Sequence, residues 1–240
     1  MARKRKRDYR TLEAGEIIRT TTRLADRIGE RFPDSGLAEA ALQLRDMANE
    51  TARRARGLSR PYLGLRTLVF LVAAAGVGSL AVVLKDVDWR GILAQTNEAA
   101  LTALLESAVN LVVLMAAGLW FLLTLEERWK RLRTQDALHE LRAFAHVVDM
   151  HQLTKDPTTL LGDGPRTPSS PERRMSRFEL TRYLEYCAEM LALTGKLSAV
   201  YAGESNDHVV VAAASDVENL CTDLGRKIWQ KITILGDLQE

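Results

Sequence analysis

Thr67-Leu-Val-Phe-Leu-Val-Ala-Ala-Ala-Gly-Val-Gly-Ser-Leu-Ala-Val-Val-Leu84 is the stretch that decides the fold, because it contains no charged side chain. A helix of these eighteen residues spans about 27 Å, close to the thickness of the hydrocarbon core of a bilayer. A second apolar stretch runs from Ser107 to Leu125, with Asn110 as its one strongly polar residue. The two stretches predict two transmembrane helices, at about 67–84 and 107–125. The alternative is a soluble protein that buries both helices in a large core.

Basic residues lie on the outer flanks of the two stretches and are scarce between them. Nine basic residues flank the pair, and two lie between its members. This asymmetry predicts that both termini are cytoplasmic and that the chain lies in a bacterial inner membrane. The flanking residues are Arg53, Arg54, Arg56, Arg60, Arg66, Arg128, Lys130, Arg131 and Arg133, and those between are Lys85 and Arg90.

Residues 1–60 predict a basic tail followed by a cytoplasmic hairpin of two helices. Apolar residues recur at helical spacing before a break at Pro33-Asp34-Ser35-Gly36, and they recur again from Leu37. The first helix is expected to bury Leu12, Ile17, Leu24, Ile28 and Phe32, and the second Ala40, Leu44 and Met47.

Residues 126–240 predict a cytoplasmic helical domain with a linker at about 155–175. Neither Gly nor Pro interrupts the sequence between Leu125 and Gln152, so we expect the second span to continue as one long helix. Capping-box patterns at Ser176–Glu179 and Ser215–Glu218 predict the starts of two further helices. The stretch Asp207–Ala214 fits a short strand or a helix, and its helical neighbours favour the helix. The fold class is therefore all-α, with a transmembrane hairpin of residues 61–125 and a cytoplasmic bundle.

Polar residues in the second span suggest a pore. Glu106, Asn110 and Ala117 share a helix face, with Ser107 beside it. In a symmetric oligomer, for which a tetramer is favoured, this face would line an axis and favour cations. The alternatives are that Glu106 lies in the water of the outer headgroup region and that Asn110 makes an interhelical hydrogen bond.

A polar stripe on the continuation of this helix contains His139, Arg142, His146 and Asp149. Three explanations fit it: a solvated face with local ion pairs, a site for an anion or nucleotide, and a metal site. The residues predicted to bind a nucleotide-type ligand are Arg142, His146, Arg173, Arg174 and Arg177.

Motifs of the common enzyme classes are missing from the sequence. It has no P-loop, GxGxxG, HExxH, GxSxG or zinc cysteine pair, so we expect no catalytic site and no cofactor. The two cysteines, Cys187 and Cys221, lie among apolar residues and are expected to be reduced core thiols.

Two runs carry a resemblance to a known family: Leu138-His-Glu-Leu-Arg-Ala-Phe-Ala-His-Val-Val-Asp-Met-His-Gln-Leu-Thr-Lys-Asp-Pro157 and Arg31-Phe-Pro-Asp-Ser-Gly-Leu37. The chain resembles a bacterial family of uncharacterised two-span membrane proteins. Its architecture is similar to that of membrane effectors of antiphage defence, and above all to the Hailong-type effector, a channel held shut by short DNA. The resemblance implies a cytoplasmic domain that senses a nucleotide or oligonucleotide and spans that permeabilise the inner membrane.

Together these features predict a homo-oligomeric effector or ion channel, in contact with the lipid bilayer and gated by a nucleotide or nucleic acid. The competing prediction is a membrane-anchored helical scaffold that recruits a protein partner and does not conduct. An exposed apolar groove in the cytoplasmic part would favour the scaffold.

Overall fold

The computed structural model describes residues 12–58, 61–86, 98–155, 157 and 175–237. These residues are almost all helical and include no strand, so the all-α prediction is confirmed. The helices are α1 (Ala14–Arg31), α2 (Gly36–Leu58), α3 (Leu63–Asp86), α4 (Glu98–Leu153), α5 (Arg177–Gly203) and α6 (His208–Asp237).

Two compact units divide the chain. Residues 60–130 form one, called here the apolar unit, and residues 1–59 and 131–240 form the other, called the bundle. Helix α4 contributes to both, because its 56 residues run without a break across the boundary at Lys130 and Arg131. The prediction that the second apolar stretch continues as one long helix is confirmed.

Helix α5 is the centre of the bundle, with buried residues on nearly all its sides. The sequence predicts a single apolar face for this helix. The structure buries residues on more than that one face. The hydroxyl of Ser198 donates to the backbone carbonyls of Gly195 and Ala214 at 2.8 and 3.2 Å, and Thr194 donates to that of Met190 at 2.9 Å. These bonds allow two polar residues to lie in the core, since burial of an unpaired hydroxyl is costly.

The α1–α2 hairpin packs against α5 on the side formed by Ile17, Leu24 and Ile28. Phe32 ends α1 and sets its ring edge-on to Tyr183, with 5.5 Å between the ring centres. Leu12 is exposed, which corrects its assignment to the apolar side of α1. Leu12 precedes Ala14, the first residue of α1, so its side chain does not lie on the apolar face of that helix.

Helix α6 begins at His208, seven residues before the capping box predicted at Ser215. That prediction is wrong: the Ser215 hydroxyl donates to the carbonyl of Val211 at 3.0 Å within a continuing helix. Asp207 takes the capping role, since its Oδ1 atom accepts the backbone N–H of Val209 at 2.9 Å. The prediction of a capping box at Ser176 is confirmed.

The apolar unit consists of α3 and the first part of α4. Both helices contain a window long and apolar enough to cross a membrane, and none of either window is buried within the protein. Large side chains such as Phe70, Leu114 and Trp120 are about 70% exposed (71%, 71% and 69%). Within the single chain, neither window is therefore part of a buried core.

Candidate functional site

An ion cluster joins α3 to α4 in the apolar unit. The carboxylate of Glu126 accepts from Arg66 Nε and from Lys130 Nζ, each at 2.8 Å. It also accepts the backbone N–H of Tyr62 at 3.3 Å. The Lys130 ammonium lies over the Tyr62 ring, 5.3 Å from its centre. We call these four residues the clasp.

The clasp holds Glu126 as a carboxylate. Burial alone would raise the pKa of Glu126, because a charged group loses its hydration. The hydrogen bonds from Arg66, Lys130 and the Tyr62 backbone outweigh that penalty and lower the pKa to about 2. This glutamate directly follows the predicted second span, so the clasp ties the two apolar helices at the ends where their basic flanks lie.

The four residues predicted to line a pore lie on exposed helix surface in the single chain. Glu106, Ser107, Asn110 and Ala117 all belong to α4 and are exposed. Because the spacing of Glu106, Asn110 and Ala117 is close to a whole number of turns, the three point to one side.

The predicted ligand-binding residues are not brought together as one described site. Arg142 and His146 are exposed on the outer side of α4. Arg177 lies at the start of α5, where its guanidinium donates to the carbonyl of Gly236 at 3.0 Å and so binds the C-terminal end of α6. Arg173 and Arg174 lie outside the described residues.

The rest of the polar stripe is divided among other contacts. Asp149 accepts from the amide of Gln152 at 2.6 Å. His151 packs on the start of α2, where a Cβ atom on Gly36 would lie 2.8 Å from the imidazole Cε1 atom. The described part of the chain has no group of three or more His, Cys, Asp or Glu arranged to hold a metal ion.

Two polar contacts fasten α4 to α6 within the bundle. Arg131 Nε donates to Asp207 Oδ2 at 2.5 Å, and Lys231 Nζ donates to the side chain and backbone of Gln152 at 2.6 and 3.0 Å. The earlier α4 residue, Arg131, pairs at the start of α6, and the later one, Gln152, pairs near the end of α6. The two helices therefore run parallel. Sequence reasoning missed these contacts, because nothing in the local pattern marks Asp207 or Lys231 as partners of α4.

A second helix also binds α4. Arg54 of α2 donates to Glu50 at 2.6 Å and to Glu140 of α4 at 3.0 Å. Arg54 therefore links the hairpin to the same stretch of α4 that carries Arg142. In the sequence Arg54 is one of the basic residues that flank the first apolar stretch, and its charge alone does not reveal these partners.

Two open pockets lie on the described surface of the bundle. One, of about 440 Å³, lies between α5 and α6 over Ala192, Gly195 and Cys221, with the exposed indole of Trp229 at its edge. The other, of about 550 Å³, is lined by Arg27, Glu30, Arg31, Ser176, Phe178, Glu179 and Tyr186. In the second pocket Arg27 is already paired with Glu189 at 2.6 Å.

Comparison of the chain with protein-family models, with curated proteins and with solved structures gives no match. The resemblance to two-span membrane effectors therefore stays a prediction from sequence.

Proposed function

We propose that this chain is a homo-oligomeric membrane effector, an ion channel whose bundle binds a nucleotide or nucleic-acid ligand and gates the apolar helices, as in antiphage defence. The observation that carries the proposal is helix α4. One uninterrupted helix supplies both an apolar stretch with no buried residue in its membrane-length window and part of the packed bundle core.

An exposed apolar helix pair supports insertion into a bilayer. Large aliphatic and aromatic side chains on a water-exposed surface of this extent would drive aggregation, whereas lipid accommodates them. The clasp and the flanking arginines at one end support the placement of that end in the cytoplasm of a bacterial inner membrane.

The contacts on α4 support gating. In the bundle this helix is held by Arg54 of α2, by Lys231 of α6 and by Asp207, the cap of α6. A ligand that binds better to one arrangement of these helices would change the position of α4, since a ligand shifts an equilibrium only through different affinities for the two states. Arg142 and His146 are exposed on this stretch and are the proposed contacts, with Arg173, Arg174 and Arg177.

Conductance of the purified full chain in liposomes tests the pore. Asn110→Ala and Glu106→Gln are expected to change ion flux or cation preference, because both lie on the proposed pore side of α4. Val112→Ala is the control, since Val112 is exposed on the opposite side of the same turn. Lack of conductance in every ligand state would contradict the channel.

Ligand binding is tested separately, by filter binding or calorimetry with oligonucleotides and nucleotides. Arg142→Gln combined with His146→Asn should weaken binding. Arg23→Gln removes an exposed positive charge from α1 and serves as the control. Equal losses in the two variants would indicate a general charge effect and would argue against a site on α4.

A membrane-anchored scaffold is the second candidate, and the pocket between α5 and α6 favours it. This pocket contains small residues beside Trp229, which is 56% exposed. Apolar surface of this kind is typical of a protein-binding site. A monomer or dimer that shows no conductance and loses a protein partner on Trp229→Ala would favour the scaffold over the channel.

A further inference from the structure

Arg128, at the clasp end of α4, lies on an aromatic ring of the apolar stretch. Its guanidinium carbon is 5.3 Å from the centre of the Phe121 ring, two turns earlier in the helix. Both residues are exposed, and the neighbouring Trp129 indole is exposed as well. The side chain of Arg128 therefore turns toward the apolar stretch.

The charge of Arg128 has no counter-ion in the described part of the chain. Arg66 and Lys130 share Glu126, whereas none of the described carboxylates pairs with Arg128. A guanidinium beside apolar side chains gains strongly from an anion, because both its hydration and its screening are reduced there. A guanidinium also forms paired hydrogen bonds with the oxygens of a phosphate.

We propose that Arg128 binds the phosphate of an anionic phospholipid, with the Phe121 ring as the platform that orients the guanidinium. The proposal rests on the membrane placement proposed above, but it does not depend on conductance. Arg66 adds a second headgroup contact, because its Nε atom alone is used by Glu126 and its side chain is 63% exposed.

A lipid is favoured over other phosphates by the surroundings of Arg128. The exposed rings of Phe121 and Trp129 are apolar and suit the boundary between acyl chains and headgroups. Soluble nucleic acid offers no acyl chain to cover them. At the opposite end of α3, the basic residue among those described is Lys85. The proposed leaflet at the clasp end therefore faces the greater positive charge.

Native mass spectrometry of the full chain in detergent, titrated with phosphatidylglycerol or phosphatidylcholine, tests the proposal. The wild-type chain should retain phosphatidylglycerol in preference to phosphatidylcholine. Arg128→Gln should weaken this retention about fivefold, the effect expected for one basic residue at an anionic surface. Arg128→Lys should give an intermediate loss, because it keeps the charge and loses the planar fork.

Lys85→Gln is the matched control, since it removes one positive charge from the other end of the apolar unit. Retention should be unchanged in this variant, and circular dichroism should show equal helix content in all four proteins. Equal retention by Arg128→Gln and wild type would overturn the proposal. Displacement of the lipid by inorganic phosphate at low millimolar concentration would overturn the assignment to a lipid, since a free phosphate would then satisfy the site.

Discussion

Asp207 Oδ2 lies 2.5 Å from Arg131 Nε, and the other oxygen of the same carboxylate caps α6 at the backbone N–H of Val209. A single side chain therefore starts one helix and fixes another. Burial would raise the pKa of Asp207, but the Arg131 guanidinium and the backbone N–H groups outweigh it and lower the pKa below its ordinary value.

Replacement of Asp207 by Ala is expected to destabilise the bundle by about 1–2 kcal/mol, because the cap and the link to Arg131 are lost together. Thermal unfolding followed by circular dichroism measures the loss. Asp216→Ala removes the same charge from an exposed position within α6 and should have little effect. An equal loss in both variants would show that net charge, rather than capping, is responsible.

The clasp should make the apolar unit sensitive to acid. The contacts of the clasp lower the pKa of Glu126 in the folded chain to about 2, from an ordinary value of 4.5. A carboxylate with a lowered pKa stabilises the folded state above its unfolded pKa, so this stabilisation is complete above about pH 4.5 and is lost as the pH falls toward 2. Its size is about 1–2 kcal/mol, because solvent around the exposed Arg66 side chain screens the ion pair.

Glu126→Gln should remove most of this pH dependence and lower the unfolding temperature at neutral pH. Unfolding midpoints between pH 2 and 7 in detergent micelles provide the measurement. Glu127→Gln changes the exposed neighbouring carboxylate and should retain the wild-type profile. The assignment would be wrong if the two variants gave the same profile.

Gly195 of α5 offers a test of the packing against α6. A Cβ atom there would lie 3.5 Å from the Cβ atom of Cys221, an ordinary contact. Gly195→Ala should therefore stabilise the bundle by up to about 1 kcal/mol through helix propensity. Gly195→Leu should destabilise it by about 1–3 kcal/mol, because the longer side chain would overpack the same contact.

Gly29→Ala is the reference for the propensity term alone, since nothing lies within 4 Å of a Cβ atom at that position. Urea unfolding of the three variants gives the comparison. If Gly195→Ala destabilised the bundle while Gly29→Ala stabilised it, α5 and α6 would lie closer than described.

The two thiols should be unreactive in the folded chain. Cys187 and Cys221 are buried and free, as the sequence predicted, and burial raises the pKa of each to about 12. Because the thiolate is the reactive form, maleimide should label neither residue at pH 7 until denaturant is added. Rapid labelling of either cysteine without denaturant would show that the bundle opens locally at α5 or α6.

Helices with a strong periodic pattern were predictable from the sequence. Ile17, Leu24 and Ile28 recur on one side of α1. Neither Gly nor Pro lies between Leu125 and Gln152, and α4 continues through this interval into the bundle. The local rule failed at Ser215, where a capping-box pattern lies inside a helix. The four residues that match the motif do not start a helix, because Asp207 supplies the cap about two turns earlier.

The candidate site was less predictable, because it depends on contacts between distant parts of the chain. Arg177 has the charge expected of a ligand contact, yet its guanidinium is bound to the carbonyl of Gly236. Nothing in the sequence marked Glu126 as a functional residue, although it is the centre of the clasp. A sequence shows which residues are charged, whereas only the folded structure shows which groups those residues contact.

The bundle contains segments from before and after the apolar unit, and this has a consequence for synthesis. The α1–α2 hairpin leaves the ribosome first, but α5, the helix on which it packs, is made more than a hundred residues later. The apolar side of the hairpin that packs on α5 therefore stays uncovered while α3 and α4 are translated. A chain truncated before Arg177 would lack α5 and would leave that apolar side of the hairpin uncovered.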